Sequence, residues 1–212
     1  MAASPGTVDT ELAIYHKFGF EDPVVYGQIT DTVSGQIHIM LYVINDPASE
    51  RFDVDRMPDG SPTGFGAIKR NIPAEIGAME YGLAPGQVRS GLRLFQYAAD
   101  AFEDFAVLLN HDRYFAEPLY YHNAVLLERT GFAYLRGRRL MESLDAAFAP
   151  GGELRAKLDG SNLFRQPHAA DHIRLRSWAL HDGIAGQPYT DVTMYKVIDK
   201  HAGVKTTADI DW

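Results

Sequence analysis

The 212-residue chain contains no cysteine. That excludes disulfides, thiolate metal sites and a cysteine nucleophile, and it is compatible with a cytoplasmic location. Positive charge is scarce: 20 Lys and Arg stand against 28 Asp and Glu, a formal net charge of -8. Nucleic acid is disfavoured as the main partner, because neutralising phosphates takes clustered Lys and Arg. An anionic membrane surface is disfavoured for the same reason. Long apolar runs are missing as well. IMLYVI, from Ile39 to Ile44, is among the longest, far short of the roughly 20 residues a spanning helix needs. The opening MAASPGTVDTELAIYHKFGF lacks the basic segment and apolar stretch of a secretory leader, so none is expected. There is no Gly-rich loop ending in Gly-Lys-Ser/Thr, SGL and GSN lack the surroundings of a nucleophile elbow, and no internal repeat is visible.

What is present is enough apolar material, 46% of the chain, to build a sizeable core. Residues 1–10 read as a loose tail and Glu11 to Phe18 as a short helix. VVYGQITDTVSGQIHIMLYVI reads as two strands turning at Val33-Ser34-Gly35. Ile37, Ile39, Leu41 and Val43 share one face of the second strand, and Met40, Tyr42 and Ile44 line the other, so that strand is central. RFDVDRM, from Arg51, reads as a third strand and MPDGSPTGFG as a loop. From Gln87 to about Leu109 the period becomes helical, with Val88, Leu92, Phe95, Ala99, Phe102 and Leu109 on the apolar stripe. A second helix is expected over Pro118 to Thr130, stopped by Gly131, and a third over Arg138 to Phe148. Ala169 to His181 looks helical and stops at Gly183. Asp191 to Ile198 returns to strand. The order predicts one α+β (α/β layered) domain over 1–212: a central, mostly antiparallel sheet flanked by helices, with a core over 24–136, a helical insertion over 137–190 and a final strand over 191–198.

One segment resembles a known family. In LLERTGF, Leu126, Glu128, Arg129, Gly131 and Phe132 match the helix-then-Gly-Phe signature of the GCN5-related N-acetyltransferase superfamily. The strands before a long helix, and the late strand DVTMYK, follow that family's order. The resemblance implies an acyl-CoA N-acyltransferase-like fold, an acyl-CoA thioester as small-molecule acyl donor and an amine as acceptor. The family's tyrosine, which protonates the leaving thiolate, falls on Leu127. Tyr120, Tyr121 and Tyr134 are the nearest substitutes, and Glu80 in AMEYG is the candidate base. The turn that holds the carrier's pyrophosphate falls on GQVRSGLR, where Val88, Arg89, Ser90, Gly91 and Arg93 only partly follow the pattern; small residues there let backbone N–H groups approach phosphate at a helix start. Asn123 and Glu128 are further carrier-binding candidates. Without the resemblance, LLERTGF is a helix with a glycine stop and a buried phenylalanine, and GQVRSGLR a solvated helical turn.

Two other readings remain. Three of the eight histidines crowd into PHAADHIRLRSWALHDG. His168 and His172 are four apart, a spacing that on a helix aims two imidazoles at one divalent metal. Asp171, His181, Asp182, His111, Asp112, Glu117, His122 or Glu128 would complete the set. Alternatively, the chain is a non-catalytic binding or structural module, a homodimer that has lost the carrier site. Arg136, Arg138 and Arg139 form one basic cluster. Arg174, Arg176 and Trp178 form another, with a guanidinium stacked on an indole in view.

Overall fold

The computed structural model describes residues 9–31, 35–66 and 68–212. Of the expected loose tail, residues 1–8 lie outside these, as do Val33 and Ser34 of the expected turn. The fold is α+β: a six-stranded sheet with helices packed on it. The strands are β1 (Asp9–Ile14), β2 (Val25–Asp31), β3 (Ile37–Ile44), β4 (Arg113–Ala116), β5 (Ala133–Arg136) and β6 (Thr193–Val197). Their order is β1-β2-β3-β4-β6-β5, and every neighbouring pair is antiparallel except β3 with β4.

The helices are α1 (Ile72–Glu80), α2 (Phe95–Leu108), α3 (Tyr121–Arg129), α4 (Arg138–Phe148), α5 (Glu153–Ala156) and α6 (Ile173–His181). α4 matches the expected bounds, and Met141, Leu144 and Phe148 are its buried stripe. α3 begins at Tyr121, so Pro118 precedes the helix. The Tyr120 N–H at its start donates to Asn123 Oδ1 at 3.2 Å. β6 lies between β4 and β5, so the chain after the long 137–190 segment returns to the sheet one place in from the β5 edge. Met194 of β6, Tyr114 of β4 and Ile37 of β3 join Phe132, Val125, Met141 and Ile173 in one core. A smaller cluster gathers Val54, Ala78, Leu83 and Phe164 around Trp178, whose Nε1–H donates to the Leu83 carbonyl at 2.8 Å.

Several expectations are corrected. Asp9–Ile14 is an edge strand, where a helix over 11–18 was expected. Pairing with β2 from Asp9↔Thr30 to Ile14↔Val25 satisfies its backbone, whereas so short a helix is marginal in water. RFDVDRM forms no strand. Its carbonyls are taken by side chains instead of a ladder: Thr63 Oγ1 donates to Val54 O at 2.8 Å, and Asn71 Nδ2 to Asp53 O and Arg56 O at 3.0 and 2.9 Å. α2 starts eight residues later than the periodicity of 87–109 predicts. The carbonyls of Val88 and Ser90 accept from Phe52 N and Asp46 N, and Arg93 sits in the left-handed region at φ 57°, so helix cannot propagate through them. Residues 167–171 are a 3₁₀ turn and His172 is extended (φ -143°, ψ 123°) before α6 begins.

Candidate active site: a cleft where two parallel strands part

β3 and β4 are paired over two positions only, His38↔Phe115 and Ile39↔Ala116. The last contact is Glu117 N to Ile39 O at 3.4 Å. At this point the β2/β3 register also slips: Gln28 pairs with Leu41 and Ile29 with Ile39, leaving Met40 as an extra residue. A bulge bends its strand and increases its twist. Here it turns β3 away from β4, and the strands separate. Between them opens a cleft of about 970 Å³, at the upper end of what small-molecule sites occupy. β3 from Ile39 to Ile44 forms one wall and Ala116 to Tyr120, with α3, the other. Residues of the stretch 81–94 and of α2 line it as well. Beyond Ile39, β3 has no strand partner on its β4 side among the described residues, so polar groups of that strand edge face the gap.

The segment before α2 borders the cleft through Arg89, Ser90, Gly91, Leu92 and Arg93. The backbone N–H groups of Gly91, Leu92, Arg93 and Leu94 donate to no other described residue. They precede a 14-residue helix whose first-turn N–H groups have no intrahelical partner. Donors and helix dipole together favour an anion. A Cβ on Gly91 would lie 3.4 Å from the Ile44 carbonyl oxygen, in ordinary van der Waals contact, so a side chain larger than a methyl would reach into the space between loop and strand.

The sequence candidates divide between this cleft and the surrounding structure. Arg89, Ser90, Gly91, Arg93, Tyr120 and Asn123 line it; Glu80, Val88, Tyr121, Glu128 and Tyr134 do not. Arg89 is buried and committed: its Nε donates to Asp22 Oδ2 at 2.8 Å, an N–H donates to Ser49 O, and its guanidinium lies 5.3 Å from the Phe20 ring. Arg93 is exposed. Tyr120 donates to Phe65 O at 2.7 Å, and burial raises its pKa. Tyr121 packs in the core with its oxygen 3.4 Å from Arg176. Tyr134 donates to Glu128 Oε1 at 2.6 Å; burial, then the Glu128 carboxylate, raises its pKa. The three tyrosine hydroxyls are thus each engaged elsewhere in the protein. Glu128 is 3% exposed and holds the C-terminal stretch, accepting from Thr206 N at 3.1 Å and Thr206 Oγ1 at 2.6 Å. Glu80 is exposed at the end of α1.

The corner after α3 has a second duty besides stopping a helix. Gly131 sits at φ 92°, and a Cβ there would come within 2.9 Å of the His201 ring; its carbonyl accepts from Ala202 N at 3.0 Å. The glycine and Glu128 together dock residues 201–206. Phe132, 2% exposed, then packs edge-on to Tyr114 at 5.4 Å on the cleft floor.

Sequence reasoning named Glu117 and His122 only as candidate metal ligands and did not place them at this cleft; Trp212 it did not name at all. Glu117 stands at the fork with Oε1 3.6 Å from His38 Nε2, and its position depended on recognising β4, which is only four residues long. His122 is buried with Nδ1 2.9 Å from Ser177 Oγ and Nε2 3.2 Å from Asn123 Nδ2. Burial, aided by the Arg174 charge, pushes its pKa down to about 3, so the imidazole is neutral at pH 7. Behind it, His181 Nε2 meets Glu75 Oε1 at 3.1 Å, and Glu75 pairs with Arg70, which also binds Asp182.

The expected metal geometry is not formed. His168 lies in the 3₁₀ turn and His172 in extended backbone, so they share no helical face. The Asp171 carboxylate is bound by Arg155 at 2.9 and 3.0 Å. No group of three or more metal-ligating side chains occurs among the described residues. The expected stacking on Trp178 is also corrected: Arg176 lies over Phe148 and pairs with Asp145, Arg174 lies over Trp212, and Trp178 stacks on Phe164. Among the described residues no helix is long and apolar enough to cross a membrane. No protein-family model, no curated protein and no solved structure matches the chain.

Proposed function

We propose that the protein is an acyltransferase of the GCN5-related type that binds an acyl-CoA thioester in the β3–β4 cleft and transfers the acyl group to an amine. One observation carries the reading: a parallel strand pair that parts after two residue pairs, with the unpaired N–H groups of Gly91 to Leu94 at one edge of the opening. A pyrophosphate is the anion that such a cluster of backbone donors ahead of a helix suits. An extended pantetheine arm suits the gap, because it can hydrogen-bond to an unpaired strand edge as a third strand would.

In the reaction the neutral amine nitrogen attacks the thioester carbonyl. A C–N bond forms, the C–S bond breaks, the nitrogen loses a proton and the thiolate gains one. The carboxylate best sited to accept the amine's proton is Glu117, at the fork and half-exposed to the cleft. Donors for the oxyanion are available on the β3 edge beyond Met40. Leu127 offers no proton and the hydroxyls of Tyr120, Tyr121 and Tyr134 are engaged. The thiolate is then protonated by water in the open cleft, which a thiol of pKa about 8.5 allows.

Calorimetric titration with acetyl-CoA and longer acyl-CoAs, followed by a thiol-release assay over a panel of amines, tests the proposal. Saturable one-to-one binding and amine-dependent thiol release support it; no heat at millimolar acyl-CoA rejects it.

A further inference from the structure

The cleft's charge is opposite to that of the protein as a whole. Its lining contains two carboxylates, Asp46 and Glu117, against four arginines, Arg89, Arg93, Arg129 and Arg174, in a chain with 28 acidic residues to 20 Lys and Arg. Arg89 is neutralised by Asp22. The other three come from separate elements: the segment before α2, the last position of α3, and α6. None of them forms a salt bridge within the described residues. Arg174 donates to the Gly82 carbonyl, and its pKa is lowered by burial and then by the nearby charge of Arg93. The field of Arg129 reaches Asp209, which is itself paired with Lys205. Unpaired cations brought together in a cleft repel one another, and an anionic ligand relieves that repulsion.

A flat aromatic surface stands among them. The Trp212 indole lies 4.7 Å from the Arg129 guanidinium and 5.8 Å from that of Arg174, is half-buried, and lines the same cleft. It is held in place rather than trailing. Ile173 N donates to Asp211 O at 2.8 Å, Ala208 N to Asp145 Oδ1 at 3.2 Å, and Thr206 is fixed on Glu128. Guanidinium groups recognise phosphate through paired N–H donors, and an indole recognises a planar base by stacking.

We infer that Arg93, Arg129, Arg174 and Trp212 form a binding site for a phosphorylated purine nucleotide, the phosphate on the arginines and the base on the indole. This deepens the carrier reading of the cleft and rests on it for the identity of the natural ligand: the nucleotide is then the 3′-phosphoadenosine end of the donor. The selectivity is supplied by segments outside the sheet: the stretch before α2, the end of α3, α6 and the C-terminal stretch. The protein therefore discriminates in favour of a donor bearing that phosphate over the same thioester on a bare pantetheine or a dephosphorylated nucleotide.

Adenosine 3′,5′-bisphosphate, which has neither pantetheine nor thioester, is the probe, with adenosine as control and tryptophan fluorescence and calorimetry as readouts. The expected result is saturable quenching by the bisphosphate, binding about tenfold or more tighter than adenosine, and loss of about tenfold on Arg93→Asn or Arg129→Gln. Both arginines are exposed, and asparagine tolerates the left-handed backbone at position 93, so the variants keep the wild-type melting temperature. Bisphosphate binding no tighter than adenosine, or unchanged in both variants, overturns the inference. If acetyl-CoA binds equally well with and without its 3′-phosphate, the nucleotide site is wrong and the carrier reading survives. If the bisphosphate binds as expected and acetyl-CoA binds no tighter than it, the nucleotide site stands and the carrier reading fails.

Discussion

Arg89 Nε donates to Asp22 Oδ2 at 2.8 Å, and both side chains are about nine-tenths buried. This pairing ties the segment before α2 to the β1–β2 connection and removes one of the segment's two arginines from ligand duty. Arg89→Ala should therefore act on stability. Asp22 keeps Arg51 at 3.1 Å, so the loss is that of the charged hydrogen bonds to Asp22 and to the Ser49 carbonyl and of the contact with Phe20, about 3 kcal/mol by denaturant titration. Acyl-CoA affinity should stay within about threefold, because the lost charge was already neutralised. A tenfold weaker affinity in a folded variant would return Arg89 to the binding site.

Gly91 separates binding from folding in the opposite sense. Its backbone is not in the left-handed region, and the nearest atom to a Cβ at this position is the Ile44 carbonyl oxygen at 3.4 Å. Gly91→Val should fold normally, with a side chain that narrows the gap between loop and strand. Acyl-CoA affinity is expected to fall by about tenfold or more, as for a cleft that has lost close backbone approach. Wild-type affinity would show that the ligand does not pass this point.

Glu117→Gln should lower kcat by about a hundredfold or more while leaving acyl-CoA binding unchanged, the signature of a lost general base. An unchanged turnover number would assign the proton transfer to water.

His122 gives the stability a pH dependence of known sign. Its folded-state pKa is depressed from 6.5 to about 3, by burial first and the Arg174 charge second. Between those values the unfolded chain binds a proton that the folded one refuses, so stability falls as pH drops through that window. One such group contributes a slope of up to about 1.4 kcal/mol per pH unit. Urea titrations between pH 7 and pH 4 should show a slope smaller by about that amount in His122→Asn than in the parent. Equal slopes would mean that the imidazole is protonated in the fold.

Glu128→Ala removes the acceptor for Tyr134 and for both Thr206 donors. A cost of about 3 kcal/mol is expected from the stranded buried donors. Amide exchange should rise over residues 204–208, and since that stretch positions Trp212, quenching by adenosine 3′,5′-bisphosphate should weaken too. Exchange unchanged at Thr206 would contradict the docking role.

Much of the layered architecture was legible in the sequence because apolar spacing is strong there. Met141, Leu144 and Phe148 mark α4, and Gly131 at φ 92° marks the stop after α3. What escaped was short or held by side chains. β4 is four residues long, too few for a period to register, and β1 declares itself only through pairing with β2. Residues 51–57 alternate like a strand, yet Thr63 and Asn71 take the backbone groups that a neighbouring strand would have used. The site was half legible. Gly91 and Arg93 stand out as small and basic residues ahead of a helix, whereas Glu117, Arg174 and Trp212 reach the cleft only through tertiary packing, for which local spacing has no signal.

The most direct measurement is of backbone amide chemical shifts during titration with a non-hydrolysable acyl-CoA analogue. The account predicts the largest perturbations at Gly91, Leu92, Arg93 and Leu94 and along β3 from Leu41 to Val43, with β1 and α5 unmoved. Perturbations confined to any other surface, or none at saturating analogue, would contradict the claim that the opening between β3 and β4 is where the acyl carrier binds.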